Sequence, residues 1–501
     1  MPSRLTPRAA VLIAAALVGA AALGAQSPMT VEEAAAESER GDQFFADARY
    51  PDAYEAYHRA LEAGAPDVVS HARKGKIRSA IRLARFQIAR IEAETLKASA
   101  ENDPEASTMF ADALWGEALF DEAEAAYQDA FKQHPQSPRA QFGVARSLAT
   151  HGQLNDALTV ALAAYAAAPK DPEVLVLIGE LYERLYRFDD AAKMLEEYVE
   201  GLPRRLRGES EVASLKVKFL KAFKGRTPAA IEGNPATLHT VPFTLRERKI
   251  LVAAELNGRR VDLVIDTGAD RTAITRDTSV RADVRPIADA MISGAGQPGL
   301  RQLSVARADS IQIGTLTVKN VPVSIRRTNM PGTANWQNDV FSPVPLGLSV
   351  VVDYQRRELT LSRQIPDTPA DFHLPLRLHR LAMVRGMLNE THPAYFIVDT
   401  GGELVSISQD VMVQLDMRPA RLIPIKVFGV AGIDPSAVLL PGVNLEFDAI
   451  EMNKYGVAVL NLRAPSVLLG FKVGGILGHK FLAGYRVAID INRAEMRLQK
   501  F

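Results

Sequence analysis

Val264-Ile265-Asp266-Thr267-Gly268-Ala269-Asp270 and, further along, Ile397-Val398-Asp399-Thr400-Gly401-Gly402 are the stretches whose reading decides the fold. Each ends a short apolar run on Asp-Thr-Gly. One copy arises by chance in roughly one chain in ten of this length, so a single motif would carry little. Two copies at the ends of strand-like runs point to an internal duplication. The texture downstream repeats as well, with Ala273-Ile274-Thr275 after the first motif and Val405-Ser406-Ile407-Ser408 after the second. Two carboxyl groups held about 3 Å apart cannot both ionise, so one keeps its proton while the other draws a proton from a bound water. A water so activated can attack a carbonyl carbon, and the protonated partner can stabilise the oxyanion and help protonate the leaving group. The chemistry asks for no cofactor, metal or covalent intermediate. Gly268 and Gly401 let two such loops approach closely, and Thr267 and Thr400 have hydroxyls able to bond across the boundary between halves.

Each half carries a later signature. After the second motif comes Gly474-Gly475-Ile476-Leu477-Gly478-His479-Lys480-Phe481-Leu482, then a hairpin of Tyr485 to Asp490 with Glu495 to Leu498. After the first comes Val344-Pro345-Leu346-Gly347-Leu348, then Val350 to Tyr354 with Glu358 to Leu361. On these residues the region 240–501 resembles the retropepsin-like (pepsin/retropepsin) aspartic proteases. The resemblance implies an all-β pair of acid-protease lobes, at 241–365 and 371–501, sharing Asp266 and Asp399 as the catalytic pair. It implies that Thr267, Gly268, Ala269, Thr400, Gly401 and Gly402 support the active-site loops and that an apolar-apolar-Gly segment packs beneath each. It also implies a glycine-bearing flap per lobe, for which Gly294 and Gly296 in one and Gly429 and Gly432 in the other are candidates. Ordinary turns without substrate contact are the alternative reading of those glycines. Gly294-Ala295-Gly296 opens no helix and lacks the further glycine of a nucleotide loop. Two departures stand out: Gly402-Glu403 replaces the usual small residue followed by Ser, Thr or Asp, and the first half has Pro345 before Leu346-Gly347 and lacks the charged or polar residue and Phe-Leu seen at His479 to Leu482.

Upstream, a 34-residue period runs through Pro104, Pro138 and Pro172, through Ala123, Ala157 and Ala191, and through Pro135, Pro169 and Pro203. Aromatic and aliphatic residues at helical spacing (Phe110, Leu114, Phe120, Tyr127) alternate with small Ala111, Ala123 and Ala130, so each period reads as two helices packed closely. The pattern resembles the tetratricopeptide repeat over 31–203, with an earlier copy at Gly41, Phe44, Ala53, Tyr57 and Ala60 and a diverged pair at 67–103. It implies an all-α solenoid able to hold a protein or peptide ligand, against the alternative of a spacer. No cluster of polar residues along one face is visible in the sequence. From Glu209 to Lys224, Val212, Leu215, Phe219, Leu220 and Phe223 alternate with lysines, which reads as a helix capping the last repeat; a membrane-surface helix is the other option. The stretch 204–240 is thus a cap followed by a linker, Pro-, Gly-, Thr- and Asn-rich from 226 onward.

Arg4 and Arg8 precede a small, apolar run from Ala9 to Leu23 ending near Gly24-Ala25, which reads as a signal peptide over 1–25, too short for a bilayer span, with an uncleaved anchor as the alternative. The expected address is exported, periplasmic or extracellular, and no membrane span remains after signal removal. The 501 residues balance 59 basic against 59 acidic side chains, which gives no field for nucleic acid. With no cysteine, disulfides, thiolate catalysis and cysteine-ligated metals are excluded. His479 is a lone histidine near a glycine turn, expected at the surface or in a supporting position rather than as a ligand, and no metal or nucleophile-elbow motif occurs. The sequence therefore predicts a monomeric aspartic endopeptidase with pseudo-twofold lobes acting on polypeptide. The alternative is a catalytically silent interaction module, and a further option is a self-processing enzyme whose repeats cover the cleft.

Overall fold

The computed structural model describes residues 29–64, 66–100, 102–292, 294, 301–327, 329–330, 332–415, 417, 422–429 and 432–501, so the expected signal segment lies outside the described residues. Helices come first: α1 (Val31–Ala46), α2 (Tyr50–Glu62), α3 (Pro66–Arg82), α4 (Phe86–Ser99), α5 (Pro104–Gly116), α6 (Phe120–Gln133), α7 (Pro138–Thr150), α8 (Leu154–Ala167), α9 (Pro172–Arg184), α10 (Phe188–Gly201) and α11 (Arg207–Lys221). The 34-residue prolines sit in the first turns of α5, α7 and α9, where their missing N–H is not needed. Asp103, Ser137 and Asp171 cap the same helices by accepting backbone N–H bonds. Close approach explains Gly143: a Cβ there would lie 2.0 Å from the Tyr127 ring, so α6 and α7 could not pack as they do. The inner helices of the solenoid carry a charged network that the sequence reading missed. Arg139 donates to Asp112 and Glu173, Arg146 reaches Asp112, and Arg82 of α3 reaches Glu173. Its members alternate in sign from repeat to repeat, which hides it from a search for one repeated column.

α11 lays Phe219, Leu220 and Phe223 against Phe188 and Leu195 of α10, and the same cluster takes in Ala288, Leu303 and Val305 of the β half. Its apolar stripe is thus covered on both sides rather than offered to a membrane, although Val212 points out and is exposed. Residues 226–240 are tied down at two places: Ala230–Ile231 pairs with Lys319 and Val318, and His239–Pro242 forms the edge of a sheet.

The remainder is β-rich, and each Asp-Thr-Gly ends a strand. Arg259–Ile265 delivers Asp266, with Val340–Phe341 parallel to it and Thr272–Thr275 antiparallel to Val340. His392–Val398 delivers Asp399, with Gly475–Leu477 parallel to it and Val405–Ser408 antiparallel to that strand. The two halves join in one sheet ordered Phe372–His379, Glu495–Lys500, Tyr485–Asp490, Ser349–Asp353, Glu358–Ser362, His239–Pro242. At its centre Val350, Val351 and Val352 face Ile489, Ala488 and Val487 across the boundary, all buried. β-Branched side chains suit such a strand, covered on both faces.

This register corrects one expectation. The segment beneath the first motif is Val340-Phe341-Ser342, not Val344–Leu348, which forms a tight helical turn (Val344–Leu346) leading into the central sheet. Ser342 therefore stands where the second half has Gly478. The sequence misled because the glycine at 347 copies the motif while the true counterpart has lost its own.

The β half docks on the row of turns joining each repeat's helices. Phe120 packs edge-on against Tyr395 (4.8 Å) and Phe471 (5.1 Å). Arg377 bridges to Asp121 and Glu124, Arg380 to Glu180 of α9, and Lys472 to Glu117. Buried aromatic contact plus partly buried ion pairs hold the second half to the repeats.

Candidate active site

Both aspartates hang from the floor strands by matching bonds: the Asp266 N–H donates to Phe341 O (3.0 Å), and the Asp399 N–H to Leu477 O (3.1 Å). The next residues cross over. Thr267 Oγ1 donates to Val398 O (2.7 Å) and accepts from the Thr400 N–H (3.1 Å), while Thr400 Oγ1 donates to Ile265 O (2.8 Å) and accepts from the Thr267 N–H (3.2 Å). Both threonines are fully buried. Four bonds between two loops leave little freedom for either, and each hydroxyl has its donor and its acceptor filled.

The glycines are there for space. A Cβ on Gly268 would lie 2.4 Å from Asp399 Cγ, and one on Gly401 would lie 2.5 Å from Asp266 Cγ, so each glycine abuts the other half's carboxyl. Asp399 Oδ1 accepts from the Gly401 and Gly402 N–H groups (2.7 and 2.8 Å), whereas Asp266 Oδ1 accepts from the Gly268 N–H alone (3.0 Å). Backbone donors favour the charged form, so the proton of the pair belongs on Asp266. Burial first, then the negative charge of Asp399, pushes Asp266 up to about 7, against the pull of Lys249 and Arg326. Ala269 gives its carbonyl to the Ser342 hydroxyl, which anchors the first loop to its floor strand.

Several contributors escaped the sequence reading. In the hairpin over 244–256, Glu247 and Arg248 both take positive φ (45° and 62°), a two-residue turn that throws Arg248 and Lys249 toward the second motif. Lys249 Nζ donates to Gly401 O, and Arg248 pairs with Glu403. The unusual Gly402-Glu403 thus serves as an ion-pair partner for the opposite half. His479, expected at the surface or in a supporting position, is buried. Its backbone N–H donates to Gly402 O (2.8 Å) and its ring lies edge-on to Tyr354 (5.2 Å), while burial, then Lys249 and Arg248, depress its basicity. No signal beyond a charged turn near the start of the β region could have found these.

Of the flap candidates, Gly429 and Gly432 face each other across a short hairpin, Val427–Gly429 with Gly432–Asp434, and Gly432 has a φ of 110° that favours glycine. Phe428 of that hairpin reaches the first half: a Cβ on Gly332 would lie 2.2 Å from its ring. In the first half Pro286–Ile292 pairs with Arg301–Ile313 as a hairpin stem. Gly294 falls in its connection, and Gly296 lies outside the described residues.

Residues 252–349 match the family model for aspartyl protease. This stretch is similar to an aspartyl protease domain. The match takes in Asp266 and stops before Asp399. Residues 108–172 and 145–205 match the tetratricopeptide repeat, so the stretch similar to aspartyl proteases follows a helical repeat region. Among solved structures the chain is similar to the aspartic proteinase from Irpex lacteus, with 11% identity and a TM-score of 0.35 over 53% of this chain and 97% of that one. It is also similar to a thermophilic tetratricopeptide-repeat protein of Thermus thermophilus, with 22% identity and a TM-score of 0.32 over 36% of this chain and 99% of that one. No curated protein matches.

Proposed function

We propose that the chain is an aspartic endopeptidase in which Asp266 and Asp399 form one site. The observation that carries this is the unequal pair: Asp266 is pushed up to about 7 beside Asp399, which takes two backbone N–H bonds to the other's one. Asp399 acts as the base toward a water held between the carboxyls, and Asp266, still protonated, donates to the substrate carbonyl as the tetrahedral oxyanion forms. The proton taken up by Asp399 then goes to the leaving amine, and Asp266 recovers its own as the product carboxyl forms. The crossed Thr267–Thr400 bonds supply the rigidity that a shared proton demands. The substrate lies as an extended strand between the Gly429–Gly432 hairpin and the motif loops. The two halves act as pseudo-twofold lobes of a single monomer, the repeats serve as its protein-binding region, and the Ala9–Leu23 run exports it.

The test is incubation of the mature chain with unfolded protein from pH 3 to 8, alongside Asp266→Asn. Cleavage is expected below about pH 7, lost as the pair gives up its last proton, and absent in the variant. A parent that cleaves nothing across that range overturns the reading and leaves a protein-binding module.

A further inference from the structure

Along the strand Leu316–Arg326, Val323 and Ile325 enter the main core of the first half with Ile265, Ile274 and Phe341. Side chains alternate along a strand, so Ser324 and Arg326 emerge on the opposite face. That face holds a separate small cluster of Val264, Ala273 and Val340 under Trp336 and Leu251, and Asp266 follows Val264 on the same side. Register agrees: Ala273 lies between Ser324 and Val340, and Thr275 is opposite Arg326. The small Ala273 and Ser324 leave the long arginine room to lie along this face.

Arg326 Nε and Nη1 are buried and have no hydrogen-bond acceptor among the described residues. The acid nearest in charge besides Asp266 is Asp339, and its oxygens are already taken by the Thr275 N–H and the Thr278 hydroxyl (both 2.6 Å). The neighbouring Arg327 turns the other way, to Asp289 on the hairpin stem (2.9 Å). A second orphan donor lies on the same face: Trp336 Nε1 is buried without an acceptor among the described residues, its ring stacked by Arg246. Donors without acceptors in a native interior are costly unless a ligand completes them. The matching place in the second half holds Leu460, which lies opposite Ser408 as Arg326 lies opposite Thr275.

We propose that Arg326 is the specificity-determining residue of a carboxylate-binding subsite in the first half of the cleft, taking an Asp or Glu side chain of the polypeptide on one side of the scissile bond. The Trp336 indole N–H is the second donor to that carboxylate. A chain lying across both halves meets the cation on one side only, so the preference has a direction. This rests on the peptidase reading for the identity of the substrate, but the subsite itself does not need catalysis.

Two measurements test it. Cleavage sites in an unfolded protein mixture are mapped by mass spectrometry for the parent, Arg326→Leu and Arg326→Glu. In parallel, binding of a matched pair of extended peptides, one with Glu and one with Gln at the same position, is measured by fluorescence anisotropy on Asp399→Asn with and without Arg326→Leu. The parent should favour an acidic residue at one position by roughly 10- to 100-fold in kcat/KM, the range of a charge-assisted hydrogen-bonded pair. Arg326→Leu should erase that preference in both measurements, and Arg326→Glu should favour Lys or Arg there. The thermal midpoint of Arg326→Leu should equal or exceed the parent's, because buried donors without hydrogen-bond acceptors have been removed. Acid preference in binding without any cleavage upholds the subsite and sinks the peptidase reading. No acid preference in either measurement, or one that survives Arg326→Leu, overturns the subsite.

Discussion

Asp266→Asn should stabilise the protein at pH 8 and leave its stability unchanged at pH 4. Folding moves this carboxyl from an ordinary 3.8 to about 7, by burial and by the charge of Asp399. A group whose folded value is raised contributes stability that is complete below the unfolded value and is lost as pH rises through the folded one. Between pH 4 and 7 the unfolded chain ionises freely while the folded site holds its proton, and above about 7 the folded protein carries the ionised pair at full cost. The gap between the two values converts to about 4 kcal/mol, at about 1.4 kcal/mol per pH unit. Asp266 keeps some solvent contact, so about 1–3 kcal/mol is the expected gain at pH 8. Asn keeps the acceptor for the Gly268 N–H and cannot ionise. The assay is urea unfolding at pH 4, 6 and 8, followed by Trp336 fluorescence in a Trp115→Phe background, since the chain has two tryptophans and Trp336 packs on Val264. A variant equally destabilised at pH 4 and pH 8 would refute the account of the pair.

Thr267→Val should lower stability by about 2–4 kcal/mol, because it orphans both the Val398 carbonyl and the Thr400 N–H, while Thr267→Ser should cost at most about 1 kcal/mol; urea midpoints decide. Gly268→Ala should leave the fold intact by circular dichroism yet reduce cleavage by roughly 100-fold, since its Cβ forces the two carboxyls apart. Arg380→Met should cost about 1–3 kcal/mol, because half-buried Glu180, held at about 2 by Arg380 and Lys216 against the effect of burial, loses its main counter-charge while keeping some solvent. Hydrogen exchange over 372–388 should then quicken, and unchanged protection there would show that the ion pair does not hold the second half to the repeats.

The repeat helices were legible because the 34-residue period acts locally: the prolines at 104, 138 and 172 mark first turns, and small residues mark contacts between neighbours. The β half was legible through two motifs, each ending a strand-like apolar run, and the signatures that follow them. What escaped depends on chains meeting at a distance. The floor strand Val340–Phe341 carries no glycine, and its role is set by pairing with Ile265 and Val264. Glu403 stood out in the sequence only as a departure from the family pattern, and its role with Arg248, like that of Lys249, appears once the 244–256 hairpin brings one half against the other. Arg326 beside Arg327 looks like a solvated pair, and only strand alternation separates their surroundings. The docking of the β half on the repeat turns joins residues more than 250 positions apart, such as Arg377 and Asp121, which no periodicity can reveal.

The central claim is that one chain builds one site from Asp266 and Asp399. Cleavage of unfolded protein near pH 5 by the parent, by Asp266→Asn, by Asp399→Asn and by an equimolar mixture of the two variants tests it most directly. The account predicts activity in the parent alone. Activity in either single variant, or its recovery on mixing, would contradict it.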